Sequence, residues 1–211
     1  MVDRIWTSKP TGSMHQIEIH SLEYSGKTVA QKLTMIVDDL EQKNIQNLFI
    51  TRLDSIAWLL NIRGKDVPNS PVVFAYFKFA KRDGVWKYTV YPRDVDKFDS
   101  AVQNHICADT LACVEVSPHY SFISNEVHDF VGTVLLPGTG TTYGIDAAVD
   151  ETPAVINAGN CPVEYIKSIK NDDEIKWIKH FSLLDSVAIS ETLMTVGFGL
   201  NLFIKFFYRV L

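Results

Sequence analysis

The 211 residues carry 20 Lys and Arg against 25 Asp and Glu, a formal net charge of −5, with 46% hydrophobic and 21% charged residues. That balance excludes wholesale disorder, and a chain of this length buries a core without disulfide or metal staples. Mild acidity leaves no electrostatic footprint for nucleic acid or an anionic membrane, so neither is expected as a partner.

At about 150 residues per domain, the length predicts one domain, or one and a fragment. Residues 1–16 carry Pro10, Gly12 and Ser/Thr without period and read as a linker; IEIH (17–20) alternates as a short strand. From Thr28 to Lys43, Val29, Leu33, Ile36, Val37 and Leu40 share one helical face, with Thr28 as N-cap. Residues 47–51 (NLFIT) read as a buried strand. Asp54 is expected to cap a helix over 55–61, stopped by the turn-rich RGKDVPNSP that holds Gly64, Pro68 and Pro71. VVFAYFKF (72–79) and VWKYTVY (85–91) form a hairpin across Arg82-Asp83-Gly84. A helix from Asp94 to Ile106, a strand over 113–116, a helix over 121–130 and a strand over 133–136 follow. After the turn Pro137–Gly140, a short helix over 143–149 and a strand over 154–157 complete an α/β domain with a mixed sheet. Asn171-Asp172-Asp173-Glu174 then opens a helix, with Asn171 as N-cap and Glu174 as its capping-box partner. Its apolar face at Ile175, Ile178, Phe181 and Leu184 needs a partner surface.

Little in this pattern carries chemistry. The six histidines have no ligand spacing, and PGTGTTYG (137–144) lacks the Lys-Ser/Thr of a phosphate loop. No GxSxG elbow is present. Cys107, Cys113 and Cys161 form an odd set without CxxC spacing and read as free thiols in a reducing compartment. A polar first stretch without a signal-peptide core, and no Asn-x-Ser/Thr acceptor, agree with a cytoplasmic location.

One stretch does speak. TRLDSIAWLLNIRGKDVPNSPVVFAY (51–76) closely resembles the non-catalytic, creatinase-type domain of Xaa-Pro aminopeptidases. The shared run is T-x-L-D-x-I-A-W-L-x-N-x-R-G-x-D, followed by a proline and a tyrosine at fixed spacing. Asp54, Ile56, Ala57, Trp58, Leu59, Asn61, Arg63, Gly64, Asp66, Pro71 and Tyr76 match it. IWTSKP (5–10) resembles the linker into the second domain of the three-domain enzymes, and 165–191 the junction with their catalytic pita-bread domain. The resemblance implies a creatinase N-terminal-like (ribonuclease H-like) mixed sheet flanked by helices. It divides the chain into a linker (1–16), the creatinase-type domain (17–165), a first pita-bread helix (166–194) and a divergent apolar tail (195–211).

The family removes the N-terminal residue from peptides with proline second, using two metal ions, typically manganese. The resemblance places the ligands, two Asp, a His and two Glu, downstream of the helix where this chain stops. No cofactor and no catalytic or metal residue is therefore expected here. The spacing of Asp83 and Asp94 matches the family's Asp pair only by coincidence, one lying in a hairpin turn and the other at a helix start. Asp54, Trp58, Asn61, Arg63, Gly64, Asp66 and Pro71 read as scaffold: Asp54 capping, Trp58 and Leu59 anchoring, Gly64 permitting the turn, Arg63 pairing with Asp66. The competing reading sets Arg63 or Trp58 beside the substrate path of a neighbouring catalytic domain. Three functions follow: a truncated non-catalytic domain of a cytosolic aminopeptidase, a regulatory or binding module that joins full-length subunits, or a hydrolase with an unrecognised site. The expected partners are the missing catalytic domain or a full-length subunit, or a second copy; proline-containing peptides would be met only through the parent enzyme.

Overall fold

The computed structural model describes residues 6, 15–107, 112–120, 123–128, 130–138, 140–150, 155–157 and 159–210. Most of the expected linker, residues 121–122 and 129 of the expected helix, Thr139 and Ala154 lie outside the described residues. In chain order come β1 (Glu18–Ile19), α1 (Leu22–Ser25), α2 (Val29–Gln42), β2 (Asn47–Ile50), α3 (Leu53–Leu59) and β3 (Ile62–Arg63). The hairpin β4 (Ala75–Arg82) and β5 (Val85–Pro92) leads to a 3₁₀ turn, Val95–Lys97, and α4 (Ser100–Ile106). Then follow β6 (Val114–Val116), α5 (Ile123–Val127), β7 (Thr133–Leu135), α6 (Tyr143–Asp150), β8 (Val155–Asn157), α7 (Pro162–Ser168) and α8 (Asp172–Val210).

Local chemistry accounts for the boundaries. The Thr28 hydroxyl accepts from the Gln31 amide, and Gln31 Oε1 takes the Thr28 N–H, so α2 starts on a full capping box. The helix expected from Asp94 is broken at Phe98: Asp99 caps α4 instead, its carboxylate 3.0 Å from the Val102 amide. Asp83 and Gly84, both at positive φ, make the hairpin turn that a twisted ribbon needs. The expected strand 72–79 begins three residues late because Val72 and Val73 are buried against the Gly64 backbone rather than laddered in the sheet.

Six strands pair in the order β6-β5-β4-β2-β7-β8, with β2–β4–β5 antiparallel and β2–β7, β7–β8 and β5–β6 parallel. Because side chains alternate, Leu48, Ile50, Phe77, Phe79, Tyr88, Val90, Val114 and Leu135 share one face. They join Leu33 and Ile36 of α2, Ile56 of α3, Val102 of α4 and Val163 of α7 in the main core. The opposite face is divided. Phe49 and Val134 are covered by Val127, Phe130, Ile145 and Val149, whereas Lys78, Arg82, Lys87, Thr89 and Glu115 stand on the half that carries no such cover. A separate ribbon, β1 with β3, pairs Ile19 with Ile62.

Residues 1–169 form one compact unit and 170–211 another. In the second, Asn171 Oδ1 accepts from the Glu174 amide and Glu174 Oε2 from the Asn171 amide, the reciprocal cap expected for α8. The helix runs on to Val210 rather than ending near Met194. Gly197 and Gly199 each cost only about 1 kcal/mol in a helix, too little to stop it.

Leu33 is fully buried and Met35, two residues on, is 36% exposed. Leu33→Ala is expected to cost about 2–5 kcal/mol and Met35→Ala about 0.5 or less, read as urea midpoints of the two variants. Equal costs would mean that α2 packs in another register.

Candidate functional site

The end of α3 and the loop after it bring most of the singled-out residues together. Asn61 follows the last turn of α3 with φ 50°, a left-handed conformation that Asn tolerates better than most side chains. Its Oδ1 accepts from the Lys32 ammonium at 2.5 Å, its Nδ2 donates to the Lys27 carbonyl at 2.8 Å, and its own carbonyl accepts from the His20 amide. Lys32 is 1% exposed; it also donates to the Trp58 carbonyl at 2.8 Å and lies 4.2 Å from the centre of the Trp58 ring. Trp58 is half-buried against the main core, which makes it part of the packing.

The remaining motif residues differ from expectation in their contacts. Asp54 lies in the first turn of α3 rather than at its N-cap, which is Arg52. Its carboxylate takes the Lys167 ammonium of α7 and the Arg52 guanidinium, and Arg52 also reaches Glu164 at 3.3 Å. Burial works to raise the Asp54 pKa, but the Lys167 and Arg52 hydrogen bonds and charges outweigh it and hold the group below its usual range. Arg63 donates to the carbonyls of Ala57 and Ile62, while Asp66 meets Lys97 at 2.5 Å and the Phe74 amide at 2.9 Å, so the expected pairing of these two is replaced by separate partners. The Asp66 side chain is 2% exposed, and through it the loop is stitched to the start of β4. Gly64 is required by close approach, not by its φ: an added Cβ would stand 2.6 Å from a Val73 methyl and 2.9 Å from the Val72 carbonyl oxygen. Pro71 is exposed in the loop.

Sequence reasoning missed Lys32, Lys97 and Glu126. Lys32 carried a readable signal, since it falls between Val29 and Ile36 on the apolar stripe of α2. Glu126 of α5 gathers the Tyr91 hydroxyl at 3.0 Å, His119 Nδ1 at 2.7 Å and the Lys78 ammonium at 3.5 Å. Burial pushes its carboxyl up, and the His119 and Tyr91 hydrogen bonds with the Lys78 charge bring it down below the usual value. Burial, reinforced by Glu126, drives the Tyr91 phenol well above its ordinary range. A cavity of about 310 Å³ opens here among Lys78, Arg82, Lys87, Tyr91, Glu115 and Glu126. Another of about 420 Å³ is lined mainly by apolar groups with His20, Asn61 and His105.

Among the described residues, no group of three or more His, Cys, Asp or Glu is placed to hold a metal ion. Asp83 and Asp94 stand beyond opposite ends of β5, whose eight residues span about 26 Å at the usual rise. A manganese pair does not fit the residues described.

The chain therefore presents an α/β scaffold whose motif residues hold its own backbone. The model of the Creatinase/Prolidase N-terminal domain matches residues 8–174, and the chain belongs to this family. It is 29% identical to the Xaa-Pro aminopeptidase app-1 of Caenorhabditis elegans over 92% of its length, and 31% identical to Aminopeptidase P2 of Arabidopsis thaliana over 90%. It spans only 31% and 30% of those relatives. The solved X-prolyl aminopeptidase of C. elegans, described as a cytosolic enzyme with a di-nuclear active site, superposes with a TM-score of 0.76 over 92% of this chain and 31% of that one, at 29% identity. The Xaa-Pro dipeptidase of Bacillus anthracis shares the fold at 17% identity, with a TM-score of 0.51 over 71% of this chain and 38% of its own. The architecture is the creatinase N-terminal-like mixed sheet.

Two outcomes follow from the site. Asn61→Gly keeps the backbone conformation but removes the Lys32 acceptor, and is expected to cost about 2–4 kcal/mol. Asn61→Ala should cost about 1 kcal/mol more, for the left-handed φ; equal urea midpoints for the two variants would show φ to be unstrained. Because the folded Asp54 pKa lies below its ordinary 3.8, its contribution is complete above that pH and is lost as pH falls through the lower folded value. Asp54→Asn should therefore flatten acid unfolding below about pH 4 and leave the pH dependence near neutrality unchanged. A change confined to neutral pH would contradict this.

Proposed function

We propose that this chain serves as the non-catalytic, creatinase-type domain of a cytoplasmic Xaa-Pro aminopeptidase. The parent activity removes the residue before a proline with metal ions held outside the described residues. The observation that carries the reading is the superposition of 92% of this chain on under a third of a cytosolic X-prolyl aminopeptidase. The commitment of Asn61, Arg63 and Asp66 to backbone partners supports a positioning role for the loop 61–74 over contact with substrate. On this reading the domain packs beside the catalytic domain and shapes access to its cleft. Among the described residues no helix is long and apolar enough to cross a membrane.

A second reading, a binding module that joins full-length subunits or a second copy, is favoured by α8. Ile175, Ile178, Phe181, Leu184 and Val187 recur at helical spacing and are 37–55% exposed. Purified chain with added manganese and an X-Pro peptide is expected to release no N-terminal residue. Turnover that follows the chain through purification and is abolished by chelation would overturn the first reading. Capture of a full-length aminopeptidase through α8, lost in Phe181→Asp, would favour the second.

A further inference from the structure

Cys107 and Cys113 form a disulfide, contrary to the expectation of three free thiols; Cys161 alone stays free, and is buried. The two bonded residues sit where the chain passes from helix to sheet. Cys107 is the C-cap of α4, its amide bonded to the Gln103 carbonyl, and Cys113 immediately precedes β6. Only six positions separate them, and their Cα atoms are 4.0 Å apart. Cys107 is half-buried and Cys113 exposed, so the bond is open to attack from solvent. Exposed disulfides exchange readily, and one closing a short loop restrains the unfolded chain less than one closing a long loop.

We propose that Cys107 and Cys113 are a reversible oxidation site that takes a small disulfide such as oxidised glutathione as its co-reactant. The Cys113 thiolate attacks a glutathione sulfur and one glutathione thiolate leaves. Cys107 then loses its proton and attacks the Cys113 sulfur of the mixed disulfide, expelling the second glutathione. The protein gives up two electrons and two protons, and one glutathione disulfide becomes two glutathione thiols. The order follows from placement: the negative end of α4 disfavours a thiolate at Cys107, whereas Cys113 meets water.

Closure has a structural reach. Ile106 and Ala112, the neighbours of the two cysteines, are both buried and line the cavity of about 420 Å³ beside His20, Asn61 and His105. The bond fastens this wall to β6, a three-residue edge strand paired only with β5 among the described residues. Oxidation thus stiffens the cavity wall and the sheet edge together. The inference rests on exposure and placement, and it stands apart from the aminopeptidase reading.

The test equilibrates the chain with reduced or oxidised glutathione, quenches with acid, alkylates and counts modified cysteines by mass spectrometry. Oxidised glutathione should remove two alkylatable thiols together, at Cys107 and Cys113, and reduced glutathione should restore them. Cys113 should trap glutathione in Cys107→Ser, and Cys107 should react more slowly in Cys113→Ser. Backbone amide exchange in β6 should slow by about tenfold on oxidation. Full alkylation of both cysteines after oxidised glutathione, or two stable glutathione adducts, would overturn the site. Faster trapping in Cys113→Ser would overturn the order of attack, and unchanged exchange in β6 would overturn the effect on the wall.

Discussion

A buried ammonium sets the terms for the first unit. Removing Lys32 from water is costly unless its donors are used, and Asn61 Oδ1, the Trp58 carbonyl and the Trp58 ring face receive it. Those acceptors stand in place only if α3 ends where it does and Asn61 turns left-handed. Asn61 in turn holds Lys27, just before α2, and its carbonyl holds His20 beside β1. One charge thereby fixes the spacing of two helices and the course of the chain into β3. Polar networks of this kind specify an arrangement more sharply than apolar contact, which slides at little cost.

The sheet shows the complementary principle. Its main-core face is apolar across β6, β5, β4, β2 and β7, because helices cover that whole width. Its other face changes character at β4: Phe49 and Val134 lie under the second cluster, while Lys78 and Lys87 lie beyond it. The hairpin of 72–79 with 85–91 was legible because Asp83 and Gly84 supply the turn between two runs rich in β-branched and aromatic residues. The run 47–50 is buried throughout since both of its faces are covered. Helix starts at Thr28 and Asn171 were equally legible, as capping is decided by residues three apart.

What escaped the sequence was decided at long range. Asp54 looked like a cap, but its partners Lys167 and Arg52 draw it into an ion cluster with a helix more than a hundred residues away. Asp66 looked like the partner of Arg63 until Lys97, thirty-one residues on, claimed it. The start of β4 was misplaced because Val72 and Val73 are as apolar as any strand, yet they are buried beside Gly64 without joining the ladder. The disulfide was hidden for the same reason: cysteine spacing does not reveal that α4 ends beside the start of β6. The motif 51–76 carried the family because it holds so many of these interlocking roles at once.

The strand order also bears on how the chain finds its fold. The β4–β5 hairpin closes across two residues, Asp83 and Gly84, and β2 joins it from within the same short stretch of sequence. β7 must come to β2 from more than eighty residues away, as Asn47 opposite Val134 records. Loop closure therefore opposes the β2–β7 pairing far more than the hairpin. The half of the sheet built by β2, β4 and β5 is the natural nucleus, and β7 with its helices condenses onto it later. Phe49, which points from that half into the second cluster, has Tyr76 of β4 beside it but takes the cover of Val127 and Phe130 only with the later elements. A ribosome that pauses before residue 130 would leave this side chain to chaperones or to a neighbouring nascent chain.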